Sequence, residues 1–195
     1  LRAVKNRFGS TNEIGIFEMK SDGLIEVLNP SAMFISKFTN ISGNVIFTGI
    51  EGTRPILAEV QTLISQSYLP TPRRAVVGWD NNRMSMLIAV LQSRYGLSFA
   101  NKDVYLNIAG GLKIQEPAVD LAVIISLISA MNDIAIPEGV AIWGEVGLSG
   151  EVRQVPNTDI RLQESIKLGF VKAIIPQDEC DYDDLNIKIY KINHI

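Results

Sequence analysis

A single cysteine, Cys180, and a single histidine, His194, are all that the sequence holds of either type. A lone thiol closes no internal disulfide, and one histidine with one cysteine cannot build a zinc site of the usual Cys/His composition. The scarcity of cysteine fits a reducing, cytoplasmic setting. A Ser-His-Asp triad needs a central histidine, and His194 stands beside the last residue, where fraying is expected. The phosphate-loop pattern GxxxxGKS/T is missing, so the chain cannot cradle a nucleotide by itself. The longest apolar run, VIISLI at 123–128 with its flanks, is too short and interrupted to span a membrane, and no signal peptide precedes it. Because Leu1 is not an initiator methionine, the chain reads as a piece of something longer.

Positive charge is not in excess either. Eighteen Lys and Arg face twenty-one Asp and Glu, a net charge of −3, so any nucleic-acid contact must come from local patches. Such a patch lies at residues 54–94, where Arg54, Arg73, Arg74, Arg83 and Arg94 face Glu59 and Asp80, a local excess of +3. Residues 177–195 lean the other way, with five acids against Lys188 and Lys191, and DECDYDD at 178–184 reads as a solvated turn. At 195 residues and 47% apolar content, the chain can bury one good core, or one domain plus a fragment of another.

The periodicities predict an alternation of strands and helices. Residues 13–19 and 24–28 read as a hairpin turning at Asp22-Gly23, followed by a boundary within 31–44. A second hairpin is expected from 45–52 and 55–65, then an extended basic connector at 69–74. Asp80 or Asn81 caps a helix whose Met84, Leu87, Ile88 and Leu91 share a face and which ends at Gly96. Residues 103–111 form a strand and 117–131 a buried helix opened by Pro117; 140–155 form a strand pair pivoting on Gly147 and Gly150. A capped amphipathic helix at 157–170 and strands at KAIIP and KIYKI complete an α/β, or layered α+β, fold.

GGLKIQEPAVDLAV, GEVGLSGEVRQV and LGFVKAIIP together resemble the proteolytic domain of the Lon protease family over roughly residues 45–190. The resemblance implies the Lon protease C-terminal domain-like fold, ribosomal protein S5 domain 2-like, over 45–195. In that family a turn at a helix start supplies a serine and a lysine opens a later helix. The serine position here is Ala118 in Glu116-Pro117-Ala118-Val119-Asp120, and the lysine position, counted without gaps, is Asp159. Hydrolysis by that route needs an activated hydroxyl beside a base, so no protease activity is expected.

VKNRFG at residues 4–9, the NPS, EGTRP, PRR and NNR motifs and GEVGLSGEVR resemble the bacterial RadA/Sms DNA-repair family over essentially the whole chain. In that family a RecA-related ATPase precedes a degenerate Lon-like domain. The resemblance implies that residues 1–44 are the C-terminal hairpin of the RecA-like core with the KNRFG motif. It also implies ATP and Mg in the parent protein, none in this fragment, and zinc in an absent N-terminal ribbon. A hexameric ring that binds single-stranded and branched DNA, hydrolyses ATP and promotes branch migration is implied too, with a RecA recombinase as a further partner and no membrane. Lys5 and Arg7 resemble the paired fingers that ring helicases of the DnaB type insert into a neighbour's ATP site. Residues two apart on a strand point the same way, so the two cations can act together on a triphosphate.

For the larger domain the expectation is a scaffold that contacts DNA through Arg54, Arg73, Arg74, Lys113 and Arg153, which can neutralise phosphates without reading sequence. Two alternatives stand beside it: a Lon-type serine peptidase using Ser126 or Ser149, and a domain that docks protein partners. Ser126 inside an apolar helix reads as a buried hydroxyl bonded to a carbonyl, and Ser149 between glycines as a turn residue.

Overall fold

The computed structural model describes residues 17–21, 23–26 and 41–195. Lys5, Arg7 and most of the 31–44 boundary lie outside the described residues. The first hairpin is β1 (Phe17–Lys20) with β2 (Gly23–Glu26). Lys20 pairs with Gly23, so Gly23 begins the second strand opposite Lys20, where the sequence reading had placed it in the turn.

Alternating and β-branched residues build a seven-stranded mixed sheet from β3 (Asn44–Glu51), β4 (Arg54–Gln66), β5 (Arg74–Val77), β6 (Lys102–Ile108), β7 (Val140–Ile142), β10 (Lys172–Pro176) and β11 (Lys188–Ile192). Their order is β11-β10-β7-β3-β4-β6-β5. The pairs β3/β4 and β4/β6 are antiparallel and the other four are parallel. Strand β5 is an addition to the sequence reading, which ended its connector at Arg74; the stretch RAVV is too short for its alternation to register. The expected 140–155 strand pair divides instead. Val140–Ile142 joins the main sheet, and β8 (Glu145–Val146) with β9 (Val152–Arg153) makes a separate small hairpin around Gly147 and Gly150.

Three helices sandwich part of this sheet. In α1 (Asn81–Tyr95) the Asp80 carboxylate accepts from the Arg83 amide at 2.7 Å, and Gly96 closes the helix in the left-handed region at φ 67°. Helix α2 (Asp120–Asn132) is buried almost all round. Helix α3 (Thr158–Lys167) begins after Asn157, which has a positive φ and gives no side-chain cap, unlike the capped start expected from sequence. Thr62 bonds Ser126 of α2 at 2.7 Å, and Thr48 bonds Ser165 of α3 at 3.0 Å. Thr48 pairs with Leu57, an odd position on β4, whereas Thr62 is even, so α2 and α3 cover opposite faces.

This arrangement explains the burial along β4. Residues 56–60 are buried on both faces, and beyond them burial alternates, with Thr62 buried and Leu63 exposed. Beyond Glu59, α1 and α2 cover the even face while the odd face, shared with β6 and β5, stays open. The core joins Phe47, Leu57, Val60, Leu87, Leu91, Leu106, Leu121, Ile124 and Trp143.

Candidate functional site

Pro117–Val119 forms a single 3₁₀ turn leading into α2, the turn where the Lon-like resemblance in the sequence leads one to expect the nucleophile position. Ala118 occupies that position and is 2% exposed. Its carbonyl accepts from the Gly144 amide at 2.8 Å, and Leu121 donates to the Gly144 carbonyl at 3.0 Å, so the turn is zipped to the strand pair beside it. Asp159 lies exposed in the first turn of α3.

Two ion pairs bracket this turn. On one side Arg161, almost wholly buried, donates to Glu116 Oε2 at 2.6 Å and to the carbonyls of Thr48 at 2.6 Å and Pro156 at 3.2 Å. Glu116 also accepts from the Ile50 amide at 2.6 Å. On the other side Arg83 forms a bidentate pair with fully buried Asp120 and donates to the Val146 carbonyl at 2.8 Å. Asp120 closes the loop by accepting from the Val146 amide at 3.1 Å. Burial pushes the Asp120 carboxyl up, and the hydrogen bond from Arg83 opposes that shift. The hydrogen bond to Asp120 raises Arg83 in turn. Between the pairs opens a cleft of about 630 Å³, lined by Trp79, Asp80, Arg83, Lys113, Gln115 and Glu145 among others. Sequence reasoning singled out neither pair as such, because partners 37 and 45 residues apart leave no local spacing to read.

The five basic candidates fall at four places. Arg54 starts β4 at the end of the β3–β4 hairpin. Arg74 pairs through Val104 with the level of Ile64, ten residues further along β4, about 33 Å away at the rise of a strand. Adjacent Arg73 and Arg74 differ sharply. The Arg74 guanidinium is folded onto the carbonyls of Arg73 at 2.9 Å, Phe99 at 3.0 Å and Lys102, and burial lowers its pKa. The Arg73 side chain is exposed, while its amide donates to Asp103 at 2.7 Å. That bond and one from Ser67 hold the Asp103 carboxyl below its ordinary value. Lys113 is exposed on a strap whose Ile114 amide bonds the Gly78 carbonyl at 2.8 Å, just past the end of β5. The structure therefore brings Arg73 and Lys113 to the two ends of one edge strand. Arg153, on β9, faces Glu151 and Glu145, the latter at 3.8 Å.

The alternative nucleophiles stand as expected. Ser126 is fully buried and donates to the Val123 carbonyl at 2.8 Å. Ser149 sits in the β8–β9 turn with its hydroxyl on Glu151 at 2.6 Å, which chiefly holds the Glu151 carboxyl down at about 2. The frayed end expected around His194 is not observed. His194 Nε2 donates to the Ser149 carbonyl at 3.1 Å, its Nδ1 lies 2.8 Å from the Tyr95 hydroxyl, and the flanking backbone pairs with Val152 and Gly150. In the acidic loop Asp178 is engaged by Lys191 at 2.7 Å and by the Tyr182 hydroxyl at 2.6 Å. Among the described residues no group of three His, Cys, Asp or Glu could hold a metal, and no helix is long and apolar enough to cross a membrane.

Comparison with known proteins places this geometry in a lineage. Residues 72–179 match the family model described as Subunit ChlI of Mg-chelatase. A protein of Rickettsia bellii (strain RML369-C) named DNA repair protein RadA is 56% identical over 180 residues, covering 92% of this chain and 40% of the relative. Proteins of the same name from Brucella abortus (strain 2308) and Bacillus subtilis (strain 168) are 50% and 52% identical, covering 97% and 93% of the chain. The chain spans about 40% of the length of these relatives. Matched by these proteins over nearly its whole length, and by the ChlI model over more than half of it, the chain belongs to the RadA family and carries a ChlI-type domain over residues 72–179.

Proposed function

We propose that the chain is a non-proteolytic, Lon-like scaffold that contacts DNA, the C-terminal part of an ATP-driven DNA repair and recombination motor. The observation that carries this reading is the turn at Ala118. The place of a nucleophile holds a buried methyl group, and the charged residues around it are spent on one another in two ion pairs. A site so built holds shape and has no group poised to attack a peptide. The name shared by the relatives supports a role in DNA repair.

In this reading the domain is ribosomal protein S5 domain 2-like and follows the RecA-like core. The parent assembles as a hexameric ring promoting branch migration, and Lys5 and Arg7 reach a neighbouring subunit's ATP site. ATP and Mg²⁺ are held by the part of the parent that carries a phosphate loop, since this chain has none. A ring multiplies each exposed cation around one channel, which lets a chain of net charge −3 bind phosphates. The test is size-exclusion chromatography with light scattering beside DNA binding over a salt series. Rings, salt-sensitive binding and no casein hydrolysis are expected. A monomer with no DNA affinity at low salt would refute the reading.

A further inference from the structure

The C-terminal half of α2 and the loop that follows it frame a hollow that neither the core nor the ion pairs use. Ile125 and Ile128 on the helix, and Ile134 and Ile136 on the loop, enclose about 150 Å³ together with Ser129 and Asn132. Ile134 is 64% exposed. Both polar side chains are turned to the backbone. Asn132 donates its amide to the Ile128 carbonyl at 2.8 Å, while the Ser129 hydroxyl donates to the Ile134 carbonyl at 2.5 Å and accepts from the Gly43 amide at 2.8 Å. Four isoleucine walls select an apolar occupant. An aliphatic cavity of about 150 Å³ stays dry and takes a benzene ring, so one phenyl side chain is the size that fits.

The course of the chain then selects which one. The polypeptide enters this domain at the hollow itself, because Ser129, which lines it, holds Gly43. The Gly43 carbonyl accepts from the Thr62 amide at 2.9 Å, and the Ser42 hydroxyl donates to Asp133 at 2.7 Å, just past the end of α2. Gly43 has φ +84°, and a Cβ there would meet the Thr62 carbonyl oxygen at 2.1 Å, so only glycine fits this anchor. Residues 27–40 lie outside the described residues. Their sequence ends SAMFISKFTN, with Phe38 four residues before Ser42 and therefore within about 14 Å of it at full extension. Met33, Phe34 and Ile35 stand further back, and a longer tether closes at a greater entropic cost.

We infer that the hollow beside α2 is the seat of the Phe38 ring, which ties the segment leading into this domain onto the domain. The inference goes beyond the scaffold reading and does not depend on it. Seating Phe38 shortens the link between the β1–β2 hairpin and the domain from residues 27–41 to residues 27–37, so a displacement of one part reaches the other through a packed ring. The experiment is isoleucine-methyl NMR of the full chain. Ring protons of Phe38 should give nuclear Overhauser effects to the methyls of Ile125, Ile128, Ile134 and Ile136. Phe38→Ala should shift those methyls and leave the methyls of Ile160, on α3 across the sheet, unchanged. Xenon, a probe of dry apolar cavities, should perturb the same four residues in Phe38→Ala and not in the wild type, whose hollow is filled. Absence of any Phe38 contact to these methyls, contacts from Phe34 in its place, or xenon acting alike on wild type and variant would overturn the inference. Contacts seen only between labelled and unlabelled chains in a mixed sample would overturn docking within one chain.

Discussion

Replacing Arg161 with alanine tests whether the charged residues around Ala118 are structural. The side chain is almost wholly buried and donates to both Glu116 oxygens and to the carbonyls of Thr48 and Pro156. Truncation empties the space, strips the buried Thr48 carbonyl of a partner and leaves Glu116 with the Ile50 amide. Breaking a buried pair from one side costs about 3–5 kcal/mol, because the remaining charge keeps its desolvation penalty. For a chain of this size each kcal/mol moves the midpoint by about 2–4 °C, so Arg161→Ala should melt roughly 10 °C below wild type. Circular dichroism melts with urea titrations give both quantities. The double variant Arg161→Met with Glu116→Leu removes both charges while keeping volume, and should recover most of the loss. A loss below about 1 kcal/mol for Arg161→Ala, the range of a surface pair, would refute the assignment of this pair as a structural lock.

Four further outcomes rest on the same contacts. Ala118→Ser should not restore casein or peptide hydrolysis, since the position expected for the base is held by the exposed carboxylate of Asp159; any activity abolished by reverting the change would count against the inert site. Glu151 has its folded pKa held at about 2 against an ordinary 4.5, so its contribution is present above pH 4.5 and lost as pH falls from there towards 2. A carboxyl-carbon NMR titration should find that midpoint, and Ser149→Ala should raise it, because the Ser149 hydroxyl is the main cause. Gly78 has φ +82° and a Cβ there would meet the Leu112 carbonyl oxygen at 2.5 Å, so Gly78→Ala should destabilise the fold and speed hydrogen exchange at the Ile114 amide. His194→Ala removes the bridge to Tyr95 and Ser149 and should speed hydrogen exchange at the Val152 and Ile195 amides relative to the wild type.

The element sequence was legible wherever pattern and punctuation coincide. Helix α1 combines a capping aspartate, a face of Met84, Leu87, Ile88 and Leu91 and a terminal glycine, and its limits follow from local rules. The second hairpin was legible for the same reason: two long apolar runs separated by Gly52-Thr53. The places of β5 and β7 in the main sheet were not, because each takes its identity from a partner strand elsewhere. Asn157 has the composition of a cap and the backbone of a left-handed residue, which composition cannot distinguish. His194 was misplaced on the general rule for chain ends; its hydrogen bonds to two distant elements are tertiary facts.

At the candidate site, what the sequence hid was how each cation is used. A missing serine or lysine can be read at one position, whereas the use of a cation depends on everything around it. Arg73 and Arg74 are neighbours of the same type in one basic motif, yet one is exposed and the other is bound to three backbone carbonyls. Arg83 and Arg161 contribute to the sequence's basic count while neutralising Asp120 and Glu116 inside the fold. Subtracting such internally matched charges leaves Arg73 and Lys113, forty residues apart in the chain, as exposed cations flanking one strand.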